Sequence, residues 1–310
     1  AEHGGGIYLN QSGPSLYDLT VSQNTASSSG GGICAYNLSN PILKNSSVVN
    51  NSSDINAGGI RCWDSSNMKL ENVVIANNTS SDLGGGMHCR GNSSPILMNV
   101  TLINNSSLSS AGGIYLRSNS NPIIVNSIIW GNTPQNIYFR AGEQPSHITL
   151  SYSDLEGGQD SIVTNDNGTV TWGDGNIDLD PLFLNADSGD YHLSDLSPVI
   201  SAATDSVQIG DTWYMAPSID MDGNFRPSPE AAIGPSLTEV FTNLSHFNKP
   251  MMISEIGAGA VAGFRDRTLQ SPWSENFQAN HYAAIARWDY ATNLTVGLAI
   301  WQFADIREED

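Results

Sequence analysis

Two sets of side chains able to recognise sugars recur at one interval. Arg61, His88 and Tyr115 are each 27 residues apart, and so are Trp63, Arg90 and Arg117. Tyr8 and Cys34 extend the first series towards the N-terminus, Asn10 and Tyr36 the second. An aromatic ring stacks on the apolar face of a sugar, and a guanidinium grips carboxylates or hydroxyls in a fixed fork. Three of the chain's 12 basic residues therefore share one surface with three tyrosines and a tryptophan. Single exposed aromatics carry no such meaning, so the argument rests on the clustering. A glycan-binding face is the expectation.

What must position these residues is a repeat. Glycine runs precede Ile7, Ile33, Ile60, Met87 and Ile114, and the apolar residues that follow them are 26, 27, 27 and 27 positions apart. Pro14, Pro41, Met68, Pro95 and Pro122 keep the same step, as do Asp18, Asn45, Asn72, Asn99 and Asn126. A third register holds Asn24, Asn51, Asn78, Asn105 and Asn132. Several registers with one period indicate a solenoid.

Each repeat carries three short apolar stretches, in the second full repeat Gly32–Tyr36, Pro41–Asn45 and Ser47–Asn51. They are of strand length, β-branched, and bounded by Gly, Ser, Asn or Pro. Three strands per coil describe an all-β solenoid, a right-handed parallel β-helix. Coils stacked about 4.8 Å apart would give the five visible repeats a rod of roughly 24 Å. Three inward stacks follow from the register: Ile7/Ile33/Ile60/Met87/Ile114, Leu16/Leu43/Leu70/Leu97/Ile124 and Val21/Val48/Ile75/Leu102/Ile129. Each buried aliphatic contributes about 1.5–3 kcal/mol of transfer energy. If Ile33 and Ala35 point inward, alternation turns the Arg61 and Trp63 columns outward, where they should be exposed. The Asn-x-Ser/Thr sequences at the 27-residue step read as turn residues and a stacked amide ladder rather than as glycan attachment sites. The glycines read as tight corners.

The chain has 31 acidic against 12 basic residues, a net charge of −19. That argues against nucleic acid as a partner, since phosphate binding needs a basic surface. No run of about 18 apolar residues suggests a membrane span, and no basic-then-apolar leader is present. The chain opens inside a repeat, which suggests that a leader or earlier coils are missing. Acidity with abundant Asn, Ser and Gly fits an extracellular or periplasmic protein. The three cysteines form no disulfide framework. Cys62 and Cys89 fall in one column on successive coils, as small core residues would, and Cys34 falls in the neighbouring column. The six histidines lack the spacing of a zinc site, so no metal and no cofactor are expected.

The period ends near Asn132. The segments Asp178–Phe183, Gly189–Leu193, Ser197–Ile200 and Asp220–Pro227 resemble the closing coils of bacterial exported β-helix proteins of the pectate-lyase-like class. The resemblance covers roughly residues 1–234 and implies an architecture shared by lyases, hydrolases and adhesins. Asp220-x-Asp222-x-Asn224 looks like the start of a calcium loop but lacks the later bidentate acid. Asp187-Ser188-Gly189-Asp190 looks like a serine-protease sequence, yet its neighbour His192 should lie on the same strand, badly placed for a relay.

Composition changes at Pro235, and residues 235–310 read as a small α/β segment. Lys249-Pro250-Met251-Met252-Ile253-Ser254-Glu255-Ile256-Gly257-Ala258 and Trp301-Gln302-Phe303-Ala304-Asp305 resemble the end of the catalytic barrel of glycoside hydrolase family 2, the β-glucuronidases and β-galactosidases. These stretches would be the seventh and eighth strands of a (β/α)₈ barrel, with the site at the strand C-termini. The resemblance implies Glu255 as nucleophile and Trp301 as a sugar platform. A retaining glycosidase also needs an acid about 5–5.5 Å from the nucleophile. The family's Asn-Glu acid motif is absent and six of eight barrel strands are replaced by the solenoid. A recruited acid would be Asp305, Glu239, Asp220 or Asp222.

Three functions follow, all with an oligo- or polysaccharide as partner. The first is a β-glycoside hydrolase using Glu255, with Asp305 as its candidate acid and Trp301 as platform. The second is a noncatalytic polysaccharide-binding or surface β-helix whose C-terminal segment caps the solenoid's open end. The third is a polysaccharide lyase using Arg61, His88 or Arg90. Oligomeric state is left open by the sequence.

Overall fold

The computed structural model describes residues 1–226. Ala1–His192 and Ala202–Arg226 form one compact unit, and Leu193–Ser201 falls outside it. The expected boundary at 234/235, the α/β segment, and with them Glu255, Trp301, Asp305 and Glu239, lie outside the described residues.

The repeat winds as a parallel β-helix. One six-stranded sheet stacks Ile7–Asn10, Ile33–Tyr36, Ile60–Trp63, Met87–Arg90, Ile114–Arg117 and Ile137–Phe139, every pairing parallel. A second, ten-stranded sheet is built on Ile42–Val49, Lys69–Ala76 and Ile96–Ile103. A narrow third sheet joins Thr25–Ala26, Ser52–Ser53, Thr79–Ser80 and Ser106–Ser107.

The second and third expected strands stay separate in the first and fifth coils, as Ser15–Tyr17 with Thr20–Ser22 and Ile123–Val125 with Ile128–Trp130, but in each of the three coils between they prove to be one bent strand. Its pairing passes from Lys44↔Glu71 to Ser46↔Val73, skipping the residue between. That residue is Asn45 at φ 47° or Asn72 at φ 54°, and Asn99 and Asn126 repeat the conformation. Asparagine tolerates this left-handed geometry, so it turns the chain without ending the strand.

All three inward stacks form. Ile33, Leu43, Val48, Ile60, Leu70, Ile75, Met87 and Leu102 are fully buried, and the end residues Ile7 and Leu16 are partly so. Beside them runs a ladder of buried amides. Asn24 Nδ2 donates to Asn51 Oδ1 at 3.0 Å, Asn51 to Asn78 at 3.0 Å, Asn78 to Asn105 at 2.9 Å and Asn105 to Asn132 at 2.9 Å. Each Oδ1 also accepts the backbone N–H of the preceding rung, as Asn78 does from Asn51. Asn51, Asn78 and Asn105, which stand in Asn-x-Ser/Thr sequences, are enclosed, with no room for an attached glycan. The ladder ends where Asn132 donates to Asn136, only four residues on, and Asn136 donates to Glu156.

Two kinds of glycine hold the corner. The first position of each run is left-handed, occupied by Gly4, Gly30 and Gly84 but by Ala57 and Ala111 in the other coils. The next position is set by space: a Cβ on Gly31 would lie 2.2 Å from the Ser52 carbonyl oxygen, and one on Gly58 2.3 Å from that of Thr79.

Parallel stacking outlasts the sequence period. Ser146–Ser151 pairs with Ile123–Val125 and then with Gly168–Trp172. The segments expected as closing coils behave differently. Residues 177–179 still stack on the preceding coil, with the Leu179 N–H donating to Asp154 Oδ1 at 3.0 Å, whereas residues 189–192, 204 and 219–226 run back along the outside of the second sheet. Asn77 Nδ2 donates to Tyr191 Oη at 2.9 Å, Asn126 Nδ2 to Thr204 O at 2.7 Å, and Asn72 Nδ2 to Ile219 O at 2.8 Å. Arg226 NH1 donates to Asn72 Oδ1 at 2.5 Å.

Candidate functional site

The six-stranded sheet brings together all six residues expected on the solenoid face. Its register aligns Arg61 with His88 and Tyr115, and Trp63 with Arg90 and Arg117. Exposure divides the two columns. Trp63, Arg90 and Arg117 are half-buried. Arg61, His88 and Tyr115 are buried, at 4%, 1% and 2% exposure, as is Cys34. The expectation that both columns are exposed is thus corrected for the first.

The reason is local. The glycine corner folds back over the strand that follows it, so that a Cβ on Gly30 would sit 2.8 Å from Cys34 Cβ and one on Gly84 3.1 Å from His88 Cβ. Large side chains at coil spacing then cover one another. His88 meets Tyr115 edge-on at 5.0 Å, and Tyr115 stacks on Tyr138 at 5.6 Å. Alternation identifies which face a residue is on, and stacking determines whether water reaches it.

Trp63 is the centre of the partly open column. The Arg61 guanidinium carbon lies 4.4 Å from its ring centre, that of Arg90 5.6 Å away, and the Tyr36 ring 4.6 Å away. Cation–π attraction and packing hold the indole upright between them. Arg117 is neutralised: it pairs with Glu143, which also binds Arg140 at 3.0 Å and accepts Ser118 Oγ at 2.5 Å. Arg61 and Arg90 form no ion pair among the described residues.

The electrostatics record this excess of cations. Burial lowers Arg61 to about 10, with Arg90 and Arg117 adding to the effect and Cys34 and Asp64 opposing it. Burial pushes the Cys34 thiol up to about 12. Burial also holds His88 well below its ordinary value, reinforced by Arg61, Arg117, Arg90 and Arg140. Neither ring nitrogen of His88, nor Arg61 Nε, has a hydrogen-bond partner among the described residues. His88 is therefore a neutral imidazole beneath a cationic surface. Arg140, Glu143 and Tyr138, which complete the face, follow the loss of the repeat and had no periodic signal.

The family model for a right-handed beta helix region matches residues 5–178. The chain belongs to that family. No curated protein and no solved structure gave a match. The β-helix region so matched holds the whole Trp63 face and stops before the returning segment.

That returning segment creates a second feature of this right-handed β-helix. A cleft of about 570 Å³ opens between the outer surface of the second sheet and residues 188–192 and 221–226. His192, on its wall, shares Nδ1 with Asp190 at 2.6 Å and Nε2 with Asp222 at 3.1 Å. The hydrogen bonds to Asp190 and then Asp222 raise its pKa. Ser188 Oγ instead donates to Asn185 O, so no serine relay forms. Asp220 accepts from the N–H groups of Asp222 and Asn224, closing a turn with the carboxylate oxygens read as the start of a calcium loop. Among the described residues, no group of three His, Cys, Asp or Glu is placed to hold a metal ion. The cysteines lie as the register requires, Cys62 beside Cys89, all three buried and free. No described helix is long and apolar enough to cross a membrane.

Proposed function

We propose that this β-helix is an exported carbohydrate-associated protein that binds an acidic polysaccharide across the Trp63 face. The observation that carries the reading is the half-buried indole framed by Arg61 and Arg90, two arginines in no ion pair among the described residues, in a chain of net charge −19. Trp63 supplies the sugar platform, and Arg90 takes a uronate carboxylate by charge-assisted hydrogen bonds. Arg61, buried under the indole, keeps the surface potential positive. Affinity electrophoresis in gels containing polygalacturonate or dextran tests this. Retardation by the acidic polymer alone, weakened by salt, supports the reading, and equal mobility in both gels overturns it. Ultraviolet-absorbing unsaturated products in the same mixtures would extend it to lyase chemistry at Arg61, His88 or Arg90.

A second reading is hydrolysis of β-glycosides, favoured by the sequence Lys249–Ala258 together with Trp301–Asp305. Glu255 would attack the anomeric carbon, Trp301 would seat the sugar and Asp305 would protonate the leaving oxygen. Chromogenic β-glycosides assayed with the intact chain and with Glu255→Ala decide it. Equal rates remove Glu255 from the mechanism. If the segment only caps the solenoid, Glu255→Gln changes no measurable property.

A further inference from the structure

The cleft on the second sheet has properties unlike those of the Trp63 face. Its volume of about 570 Å³ falls within the range of small-molecule sites, ~300–1,000 Å³. Its floor is formed by Asn72, Asn77 and Asn99 with Thr101, and its wall by His192 and Asp222. Most of these polar groups are already engaged. Asn72 is held by Ile219 O and Arg226, Asn77 by Tyr191, and Asn126, the next residue in the Asn99 column, by Thr204. Asn99 breaks the series: its Oδ1 is buried and has no hydrogen-bond partner among the described residues. A buried amide oxygen without a donor is costly, so rotation of the partly buried Asn99 amide towards a donor in the cleft is favoured.

The charges narrow the donor's identity. Asp222 and Arg226 line the cleft together, and Arg226 is influenced by both Asp220 and Asp222. The wall therefore offers charges of both signs, amides and hydroxyls rather than cations alone. Val49, Val74 and Met221 add apolar contact. That mixture of hydrogen-bonding groups with small apolar patches matches a hydroxyl-rich, uncharged molecule.

We propose that this cleft is a second glycan site, for a neutral oligosaccharide, in which sugar hydroxyls bond the Asn99 amide and the Asp222 carboxylate, against a wall formed by His192, whose two ring nitrogens are held by Asp190 and Asp222. The site is independent of the Trp63 face, because it lies on a different sheet.

Calorimetric titration of the full chain with cellotriose, maltotriose and mannotriose tests it. Asn99→Gly deletes the amide while suiting the left-handed backbone at that position, φ 54°. His192→Gln removes the imidazole from an exposed position and keeps a polar side chain. Millimolar or tighter binding of at least one trisaccharide is expected, weakened about tenfold or more by each substitution with circular dichroism unchanged. Arg90→Ala should leave that affinity intact. No binding of any of the three sugars, or binding indifferent to both Asn99→Gly and His192→Gln, overturns the proposal. Loss on Arg90→Ala alone would also overturn it, by moving the neutral sugar to the Trp63 face.

Discussion

The Arg61 guanidinium carbon lies 4.4 Å from the centre of the Trp63 ring, on the same strand and two residues away. One outward position is buried and the next half-buried, so a cation sits beneath an indole that solvent still reaches. Arg61 thus acts through Trp63. Replacing it with Leu should leave the fold intact but weaken acidic-glycan binding several-fold, whereas Arg61→Lys, which keeps the charge without the planar stack, should fall between. Binding titrations with unchanged circular dichroism check this.

Acid should destabilise the protein through His88. Its folded pKa is held well below 6.5 by burial and by Arg61, Arg117, Arg90 and Arg140. The unfolded chain therefore takes up a proton that the folded one refuses, and stability is lost as pH falls below about 6.5. His192 has the opposite sign: its folded pKa is raised by Asp190 and Asp222, so its contribution is present at low pH and lost as pH rises through the folded value. Urea midpoints measured across this range should fall less steeply towards acid in His88→Gln and more steeply in His192→Gln.

The amide ladder should be strongest in its middle. Asn78 Oδ1 accepts from the backbone and side chain of Asn51, and its Nδ2 donates to Val48 O and Asn105 Oδ1. Asn78→Ala strands all these groups in the core and should cost roughly 3–5 kcal/mol in urea unfolding. Asn24→Ala, at the partly exposed end, should cost clearly less.

Corner substitutions should have opposite signs. Ala57 and Ala111 hold left-handed backbone at φ 56° and 57°, so glycine there should stabilise by about 1 kcal/mol each. Gly58→Ala should destabilise by several times that, since its Cβ would lie 2.3 Å from a backbone oxygen. Thermal unfolding of the single variants measures both.

The coil register was legible because each of its features has one structural cause repeated five times. The pairing of Cys62 with Cys89 and the amide ladder could be read directly from spacing. Burial of Arg61 and His88 could not, because it depends on a glycine corner folding over its own strand and on side chains from neighbouring coils. The single bent strand was hidden because Asn45 reads as a turn residue in sequence and serves as a hinge within a ladder. The contacts of the returning segment, such as Asn77 with Tyr191, join residues 114 apart and carry no periodic mark. The His192 and Asn99 cleft depends on those contacts.

The most direct test is calorimetric titration of the full chain with a uronic-acid oligosaccharide, comparing the unaltered protein with Trp63→Ala and Arg90→Ala. Loss of the platform or of the carboxylate anchor should weaken binding about 10- to 100-fold, the size of one charge-assisted contact. Unchanged affinity in both variants, or no binding by the unaltered protein, would contradict the account.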